Sequence, residues 1–589
     1  MSKWLLRRST ADVVAVARQA GVSPVLARIL AVRGYHTPDD IKSFIDSKAH
    51  KLADPFLFAD MDKAVAATLA AIDTGKRIAI YGDYDADGVM STVILHYTLL
   101  SLGAEAVYYI PNRKEEGYGL NKNAIEVLAE SSIDFIITCD NGISAIEEIT
   151  YARSLGLEVV VLDHHAVIVD DEDKKLQHIP DATAVVDAKR LDCGYPFKHY
   201  CGAGICYRFS QAIYNKLHRD WRKLGEYCLP FVTIATICDL VDMTGENRDI
   251  VKLGLSRLRN CQQIGVKALL SASGLAGKDI SEYHVGFILG PCINAAGRLD
   301  SADTAVELFL SEDPDVADEI AESLVEMNKD RRQLTENGAK RAFQLVKENN
   351  LAEKKIIVIY DEQFSESVAG IIAGKIKERY HRPAIVLAGE ESQLHGSCRS
   401  VESYNIFEGL CGCSHYLNSF GGHPMAAGLT INAGCLDSFV EEINDKCTLS
   451  MEDLEPSFRI DCPLFPADAS LDLCAEIALL GPYGKENPQP IFACKHLALE
   501  KISLMGKTDS VMRLFLRDDR GKRCEAIDFR NKERFFNEIV GRFGESGLAS
   551  VLKGTPLDII NLDLLYNLSV NTFNGRESVQ IQVVDFRFE

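Results

Sequence analysis

Arg77-Ile78-Ala79-Ile80-Tyr81-Gly82-Asp83-Tyr84-Asp85-Ala86-Asp87-Gly88 is the stretch on which the fold turns. Its first half is a short apolar run closed by a glycine, the pattern of a buried strand. Its second half sets three carboxylates at alternate positions where that strand ends. Outward from it, residues 89–102 read as an apolar-rich helix, 104–110 as a strand and 121–130 as a helix. The pattern repeats with a strand at 135–138, a helix at 144–155 and a strand at 157–162. Strands alternating with helices of about 10–15 residues predict βαβ units and a doubly wound parallel sheet, an α/β fold.

Two further polar motifs follow strand-like runs: Cys139-Asp140-Asn141-Gly142 and Asp163-His164-His165. Open α/β sheets bind ligands at the carboxyl ends of their strands, so these motifs are placed to converge. Asp239 is a fourth candidate, closing the nearly apolar run Thr233-Ile234-Ala235-Thr236-Ile237-Cys238. Carboxylates in apolar surroundings are costly unless a cation neutralises them. Carboxylates with one or two imidazoles suit Mn²⁺ or Mg²⁺ better than a thiol-type zinc site. Four to six such ligands suit two ions, which points to a metal-dependent phosphoesterase. The EF-hand alternative fails for the first motif. Such a loop needs a bidentate Glu at its twelfth position, and the twelfth residue from Asp83 is Ile94. A plain acidic turn remains the alternative for each of the first two motifs taken alone.

Elsewhere, residues 1–75 read as short helices with polar turns, and 203–330 as mostly helical. Asp313-Pro314 reads as a cap followed by a proline in the first turn. It opens a long charged helix to about Asn349, with an interruption expected near Asn337-Gly338. A second α/β segment starts at 355–360, with a helix at about 366–380 and a strand at 383–387. Short strands at 492–497, 511–516, 524–529 and 578–586 suggest a small β-barrel. The 17 cysteines are scattered without a C-x-x-C pair and read as buried free thiols. No stretch approaches the ~20 apolar residues of a membrane span. The opening Met1-Ser2-Lys3-Trp4-Leu5-Leu6-Arg7-Arg8 has no apolar signal core, so no membrane association and a cytoplasmic protein are expected. A net charge of −21 over 589 residues argues against a nonspecific nucleic-acid coat. It leaves room for a locally basic channel.

The three acidic motifs together closely resemble the DHH phosphoesterase family. Within it the likeness is to its single-strand-specific 5′→3′ exodeoxyribonucleases, and it runs over nearly the whole chain. It is carried by the Lys3-Trp4 start, Pro111-Asn112-Arg113 with Glu116-Gly117-Tyr118-Gly119, and Cys201-Gly202-Ala203-Gly204. It continues in Asn294-Ala295-Ala296-Gly297-Arg298, Gly396-Ser397-Cys398-Arg399-Ser400 and Phe420-Gly421-Gly422-His423. It ends in Gly481-Pro482-Tyr483-Gly484-Lys485-Glu486-Asn487-Pro488, which resembles the lead-in to the family's OB-type barrel.

The resemblance implies a helical segment at 1–75, a DHH catalytic domain at 76–310 and a connecting helix at 311–350. A DHH-associated α/β domain at 351–450 and an OB-like barrel at 451–589 would follow. It implies metal ligation by Asp83, Asp85, Asp140, His164 and Asp239, with two ions of Mn²⁺ or Mg²⁺. His165 would lie near the scissile phosphate, with Asp163 orienting the His pair. Arg298 and His423 would contact the phosphate being cleaved. Arg113, Ser397 and Arg399 would hold the terminal 5′-phosphate. Single-stranded DNA is the implied substrate, recombination and repair the implied setting, and a single-strand-binding protein and a helicase the implied partners. The implied state is a monomer. In the barrel, Phe492, Phe515 and Phe529 are candidate stacking rings, with a core role the stronger reading for each.

Two departures stand out. Phe364-Ser365-Glu366-Ser367-Val368-Ala369-Gly370 stands where relatives often carry Trp-His-x-Gly-Val-x-Gly. Cys292 stands where they often carry Arg. Both remove potential phosphate contacts. The rival readings are a DHH phosphoesterase for short oligonucleotides or cyclic dinucleotides, and a non-catalytic strand-binding relative.

Overall fold

A computed structural model describes residues 2–46, 52–113, 116–117, 119–170, 175–389, 392–506, 509–557 and 559–589. Tyr118 of the motif Glu116-Gly117-Tyr118-Gly119 lies outside them. The chain forms two compact units: residues 49–455 with 484–486, and residues 1–48 with 456–483 and 487–589.

The first unit begins with a five-stranded sheet in which every pairing is parallel. Its spatial order is Ala106–Tyr109, Ile78–Tyr81, Phe135–Cys139, Glu158–Leu162, Ala184–Val186. The strand order therefore reverses between Ile78–Tyr81 and Phe135–Cys139, the switch point where such sheets bind ligands. Side chains alternate between two cores. Ile78, Ile80, Ile137 and Val160 pack on one face; Ala79, Tyr81, Ile136 and Val161 pack on the other. Burial of both faces explains why these strands read as continuous apolar runs rather than as alternating ones.

The helix Pro314–Glu348 runs on for 35 residues without the expected interruption at Asn337-Gly338. A Cβ at Gly338 would lie 2.5 Å from Ile372 Cδ1. The glycine lets the helix Glu366–Tyr380 approach closely, so it serves packing and does not break the helix. Beyond it, a second five-stranded sheet has the order Leu417–His423, Ala426–Asn432, Gln393–Arg399, Ala384–Ala388, Ile357–Tyr360. The Gly-rich run around Gly421 and Gly422 is thus a β-hairpin.

In the second unit, Phe492–Met505, Val511–Arg517, Arg523–Asp528, Arg576–Phe588 and Asn561–Phe573 pair in turn. The first of these pairs again with the last, closing a barrel. Its core also takes Leu26, Ile29, Leu30 and Ile41 from the N-terminal helices. The amino end is not wholly helical: Lys3–Leu6 is a strand, parallel to Ser457–Ile460. Its partner lies more than 400 residues away in the chain, so local pattern could not reveal it. Phe492 is fully buried against Tyr566, whereas Phe529 is half exposed and Phe515 carries Lys501 over its ring. Of the three candidate rings, then, Phe492 belongs to the core. Among the described residues no single helix is long and apolar enough to cross a membrane. All 17 cysteines are free and most are buried.

Candidate active site

The acidic motifs meet at the switch point. Asp83 and Asp140 follow adjacent strands, and both are buried. Asp85 caps the helix Ala86–Ser101, one carboxylate oxygen accepting from Asp87 N at 2.8 Å and Gly88 N at 3.1 Å. Asp140 holds a left-handed backbone, φ 63°, a strained state for a non-glycine residue. It is boxed in from the neighbouring helix, since a Cβ at Gly202 would lie 2.6 Å from Asp140 Cβ. Asn141 ties the two loops together by donating from Nδ2 to the carbonyls of Tyr81, Gly82 and Cys139.

Ligand atoms of Asp83, Asp85 and Asp140 all lie within 4.8 Å of one another. So do those of Asp140, His164 and His165, and those of Asp87, His164 and Asp239. The sequence-predicted set of Asp83, Asp85, Asp140, His164 and Asp239 is therefore gathered in one place, with Asp140 common to two groups. His164 Nε2 is buried and sits 3.0 Å from Asp140, 3.6 Å from Asp239 and 3.7 Å from Asp87. Burial, followed by the charge of His165, pushes its pKa well below the ordinary value, so the ring is neutral. Burial also raises Asp83, Asp140 and Asp239 well above the usual carboxylate range, each raised further by its acidic neighbours. Asp83 Oδ1 is buried with no hydrogen-bond partner. A neutral imidazole among carboxylates that resist ionising, with an orphaned buried oxygen, is the donor set of an oxygen-favouring divalent cation. These residues fit Mn²⁺ or Mg²⁺.

Asp87, quoted in the first motif but not singled out as a ligand, belongs here too. It is buried, and its pKa is pushed up to about 6 by burial and by Asp85, against the N–H groups of Ala203 and Gly202. Those donate to it at 2.8 and 2.6 Å, making it the anchor of the helix Gly202–Lys216. In sequence it stands alongside Asp83 and Asp85, and only the fold separates its part from theirs.

Asp163 lies beneath the cluster. Its carboxylate accepts from Ile143 N at 2.8 Å, His164 N at 2.7 Å and His165 N at 3.2 Å. It also accepts from His165 Nδ1 at 2.8 Å. Burial opposes its ionisation most strongly, but the charge and hydrogen bond of His165, with His164 and the Ile143 N–H, together hold it below the ordinary value. In return His165 rises to about 9, burial being overcome by Asp163 and then by Asp239 and Asp87. The ring that Asp163 holds is thus His165; its link to His164 is through the backbone. The hairpin of the second sheet brings His423 over His165, ring centroids 6.4 Å apart and nearly parallel. Lys189, which no motif singled out, lies close enough for its charge to lower both His164 and His423.

Beside this acidic cluster lies a basic one. Arg399 and Ser397 meet over Gly370, where a Cβ would lie 2.9 Å from Arg399 Nη2 and 3.1 Å from Ser397 Oγ. Arg113 stands over the Tyr84 ring at 5.2 Å. Arg298 donates to the Ser367 carbonyl at 3.2 Å. Burial lowers Arg298 to about 10, and the charges of Arg113, Arg331 and Arg399 add to the effect. Burial and Arg113 lower Arg399 as well. Arg331 is the member that sequence did not single out. Its Nε and Nη2 donate to Asn328 Oδ1 at 3.1 and 2.8 Å, and Asn328 Nδ2 donates to Cys292 Sγ at 3.3 Å. The buried Cys292 thus helps to place an arginine although it carries no charge itself. At the other departure, Ser365 bonds Ser367, whose carbonyl receives Arg298.

A doubly wound sheet with carboxylates and imidazoles at its switch point, joined to a second α/β domain, defines a DHH-type phosphoesterase. Comparison agrees: the DHH family N-terminal domain matches residues 77–236, the DHHA1 domain 353–448 and the RecJ OB domain 460–585. The single-stranded-DNA-specific exonuclease RecJ of Bacillus subtilis is 34% identical over 99% of this chain and 70% of its own length. That of Escherichia coli is 29% identical over 95% of each chain. The crystal structure of RecJ from Thermus thermophilus in complex with Mn²⁺ aligns with a TM-score of 0.80 at 25% identity, covering 99% of this chain and 79% of that one. This chain belongs to the RecJ family.

Proposed function

We infer that this chain is a metal-dependent, single-stranded-DNA-specific exonuclease that works from the 5′ end and releases 5′-mononucleotides. The observation that carries the reading is the pairing, in one unit, of a largely buried acidic cluster with a partly buried arginine cluster, with His423 of the second sheet lying over His165. The curated relatives are named as single-stranded-DNA-specific exonucleases, and a structural relative was crystallised with Mn²⁺.

In this reading Asp83, Asp85, Asp140, His164 and Asp239 would hold two divalent ions. Bound there, the ions supply Lewis acidity toward phosphate oxygens and acidify water. The chain's own groups do the rest. Arg113, Ser397 and Arg399 take the terminal 5′-phosphate, since guanidinium forks and a hydroxyl match a phosphate monoester. The pocket fixes the first nucleotide, so the next phosphate falls at the acidic cluster. Arg298 and His423 bind that phosphate. Asp163 holds the proton on His165 Nδ1, which keeps the ring charged and aimed at developing negative charge. Water adds at phosphorus and the P–O3′ bond breaks. The released nucleotide keeps its 5′-phosphate and gains a 3′-hydroxyl. The strand gains a new 5′-phosphate, which can enter the same pocket.

The proposed setting is recombination and repair in the cytoplasm, by a monomer aided by a single-strand-binding protein and a helicase. The test of activity is a time course on 5′-phosphorylated single-stranded DNA labelled at its 3′ end, with Mn²⁺ or Mg²⁺. Asp140→Ala and a blunt duplex are run beside it. Progressive shortening from the 5′ end, lost in the variant and absent on duplex, is expected. Equal loss of duplex, or cleavage confined to dinucleotides, overturns the reading.

A further inference from the structure

Tyr283 and Phe287 are 60% and 71% exposed, yet they stack on each other with ring centroids 5.1 Å apart at 27°. Single exposed apolar residues need no explanation, but two large rings stacked in water are an exposed apolar patch that asks for an occupant. They sit at the start of a continuous helical run. A three-residue turn, Glu282–His284, passes into a wide π-helical turn, Val285–Leu289, and then into the helix Gly290–Leu299. Wide turns of this kind are frequent at functional sites. The run is held firmly: a Cβ at Gly290 would collide with Cys238, whose neighbour is Asp239 of the acidic cluster.

The burial pattern gives this run a direction. Between Leu289 and Gly297 every residue is buried except Pro291 and Asn294, and Arg298 is the next to open. Phe287, Pro291, Asn294 and Arg298 recur at spacings of four, three and four, which is one side of a helix. A single stripe, half-buried at Arg298, Asn294 and Pro291 and exposed at Phe287, thus leads from the arginine of the phosphate cluster to the aromatic pair. Along it Asn294 accepts from Ala86 N at 2.7 Å, inside the first acidic motif. From Arg298 to Phe287 is about 16 Å at 1.5 Å per residue, enough for a few nucleotides.

We propose that Tyr283 and Phe287 form a base-stacking platform for the strand on the 3′ side of the cleavage site. The proposal rests on the exonuclease reading above. The occupant is a nucleobase because the stripe is continuous with the phosphate-binding arginine. An exonuclease must also grip every sequence it meets. Aromatic faces stack on any base, whereas hydrogen-bond readout would select among them.

The test is a double-mutant cycle between ring and base. Binding of 5′-phosphorylated oligothymidylates, each with one abasic nucleotide at a stepped position, is measured by fluorescence anisotropy. The chain carries Asp140→Asn so that the strand stays intact, with or without Phe287→Ala. At one position a few nucleotides from the 5′ end, loss of the base is expected to weaken binding about tenfold. Phe287→Ala should cost about the same on the full strand and nothing more on that abasic strand. Phe287→Trp should restore the position-dependent loss, which a merely damaged fold would not. Additive losses at every position, or unchanged affinity in Phe287→Ala, overturn the platform alone. No strand binding by the Asp140→Asn chain, joined to no shortening by the wild type, overturns the exonuclease reading and the platform with it.

Discussion

The acidic and arginine clusters of the first unit are opposites in charge but share one electrostatic fault. Each packs like charges close together, largely buried on the acidic side and half-buried at Arg298, Arg331 and Arg399. Burial and neighbouring carboxylates push Asp83, Asp140 and Asp239 up; burial and neighbouring guanidiniums push Arg298 down to about 10. A ligand of the other sign would relieve the repulsion in each. The difference lies in construction. Apart from Asp239, which closes a helix, the acidic cluster is built at the ends of paired strands, with two of its loops tied by Asn141. The arginines come from a loop, two helices and a strand of the second sheet. A site for small cations needs fixed, close donors; a site for a strand end needs reach and assembly from several segments.

The sharpest break in that comparison is Asp140→Asn. Asp140 faces His164 and belongs both to the group with Asp83 and Asp85 and to that with His164 and His165, so on the proposed reading turnover is expected to fall about 10³-fold or more. The same change removes a repelled charge. In a chelator, the variant should therefore melt at a higher temperature than the wild type. Lower stability in chelator would mean that Asp140 is held by protein contacts and not by a cation.

Thermal shifts should separate the two clusters. Mn²⁺ at 100 times its dissociation constant adds about 2.7 kcal/mol to the folded state, and inorganic phosphate adds a similar amount at its own 100-fold excess. Asp140→Asn should lose most of the Mn²⁺ response and keep that to phosphate. Arg399→Ala should do the reverse. If phosphate protects only when Mn²⁺ is present, the clusters are one site and the comparison fails.

Smaller effects should fall on KM. Removing a charged hydrogen-bond donor costs about 1.5–3 kcal/mol, so Arg113→Ala or Arg399→Ala should raise KM about 10- to 100-fold on 5′-phosphorylated strands. On 5′-hydroxyl strands the same variants should differ little from the wild type. Ser397→Ala, a neutral donor, should cost about tenfold or less. Equal losses on both strand types would place these residues elsewhere along the DNA.

Much of the acidic side was legible in sequence because each motif is contiguous and sits at the end of an apolar run. Asp239 was legible too, as a charge closing an apolar helix. Other roles hung on long-range contact. Asn141 and Asn294 look like turn and helix residues until their partners at Tyr81, Gly82 and Ala86 are seen. Asp87 shares the motif of Asp83 and Asp85, and only the approach of Gly202 and Ala203 makes it an anchor. Gly338 reads as a helix breaker because propensity says so, while packing against Ile372 decides otherwise. The basic side was visible only through resemblance. An arginine on a charged helix is ordinary, and nothing local marks Arg331 from Arg332.

Arg331 is where the smallest effect should appear, and where the meaning of the basic cluster can be refined. It lies close enough to Arg298 for its charge to lower it, and is tethered by two donations to Asn328. If it only shapes the wall, Arg331→Ala should shift KM modestly and leave the salt dependence of binding unchanged. If its charge is felt by a phosphate, the slope of log affinity against log salt should fall by about 0.7, the value for one contact on a single strand. The second outcome is expected, because the guanidinium is close enough to lower Arg298. Asn328→Ala should give a weaker version of it, since the charge remains but loses its tether. Cys292→Ser, which keeps an acceptor for Asn328 Nδ2, should stay near the wild type. A slope that falls in Asn328→Ala as far as in Arg331→Ala would show that position, and not charge alone, makes this arginine part of the cluster.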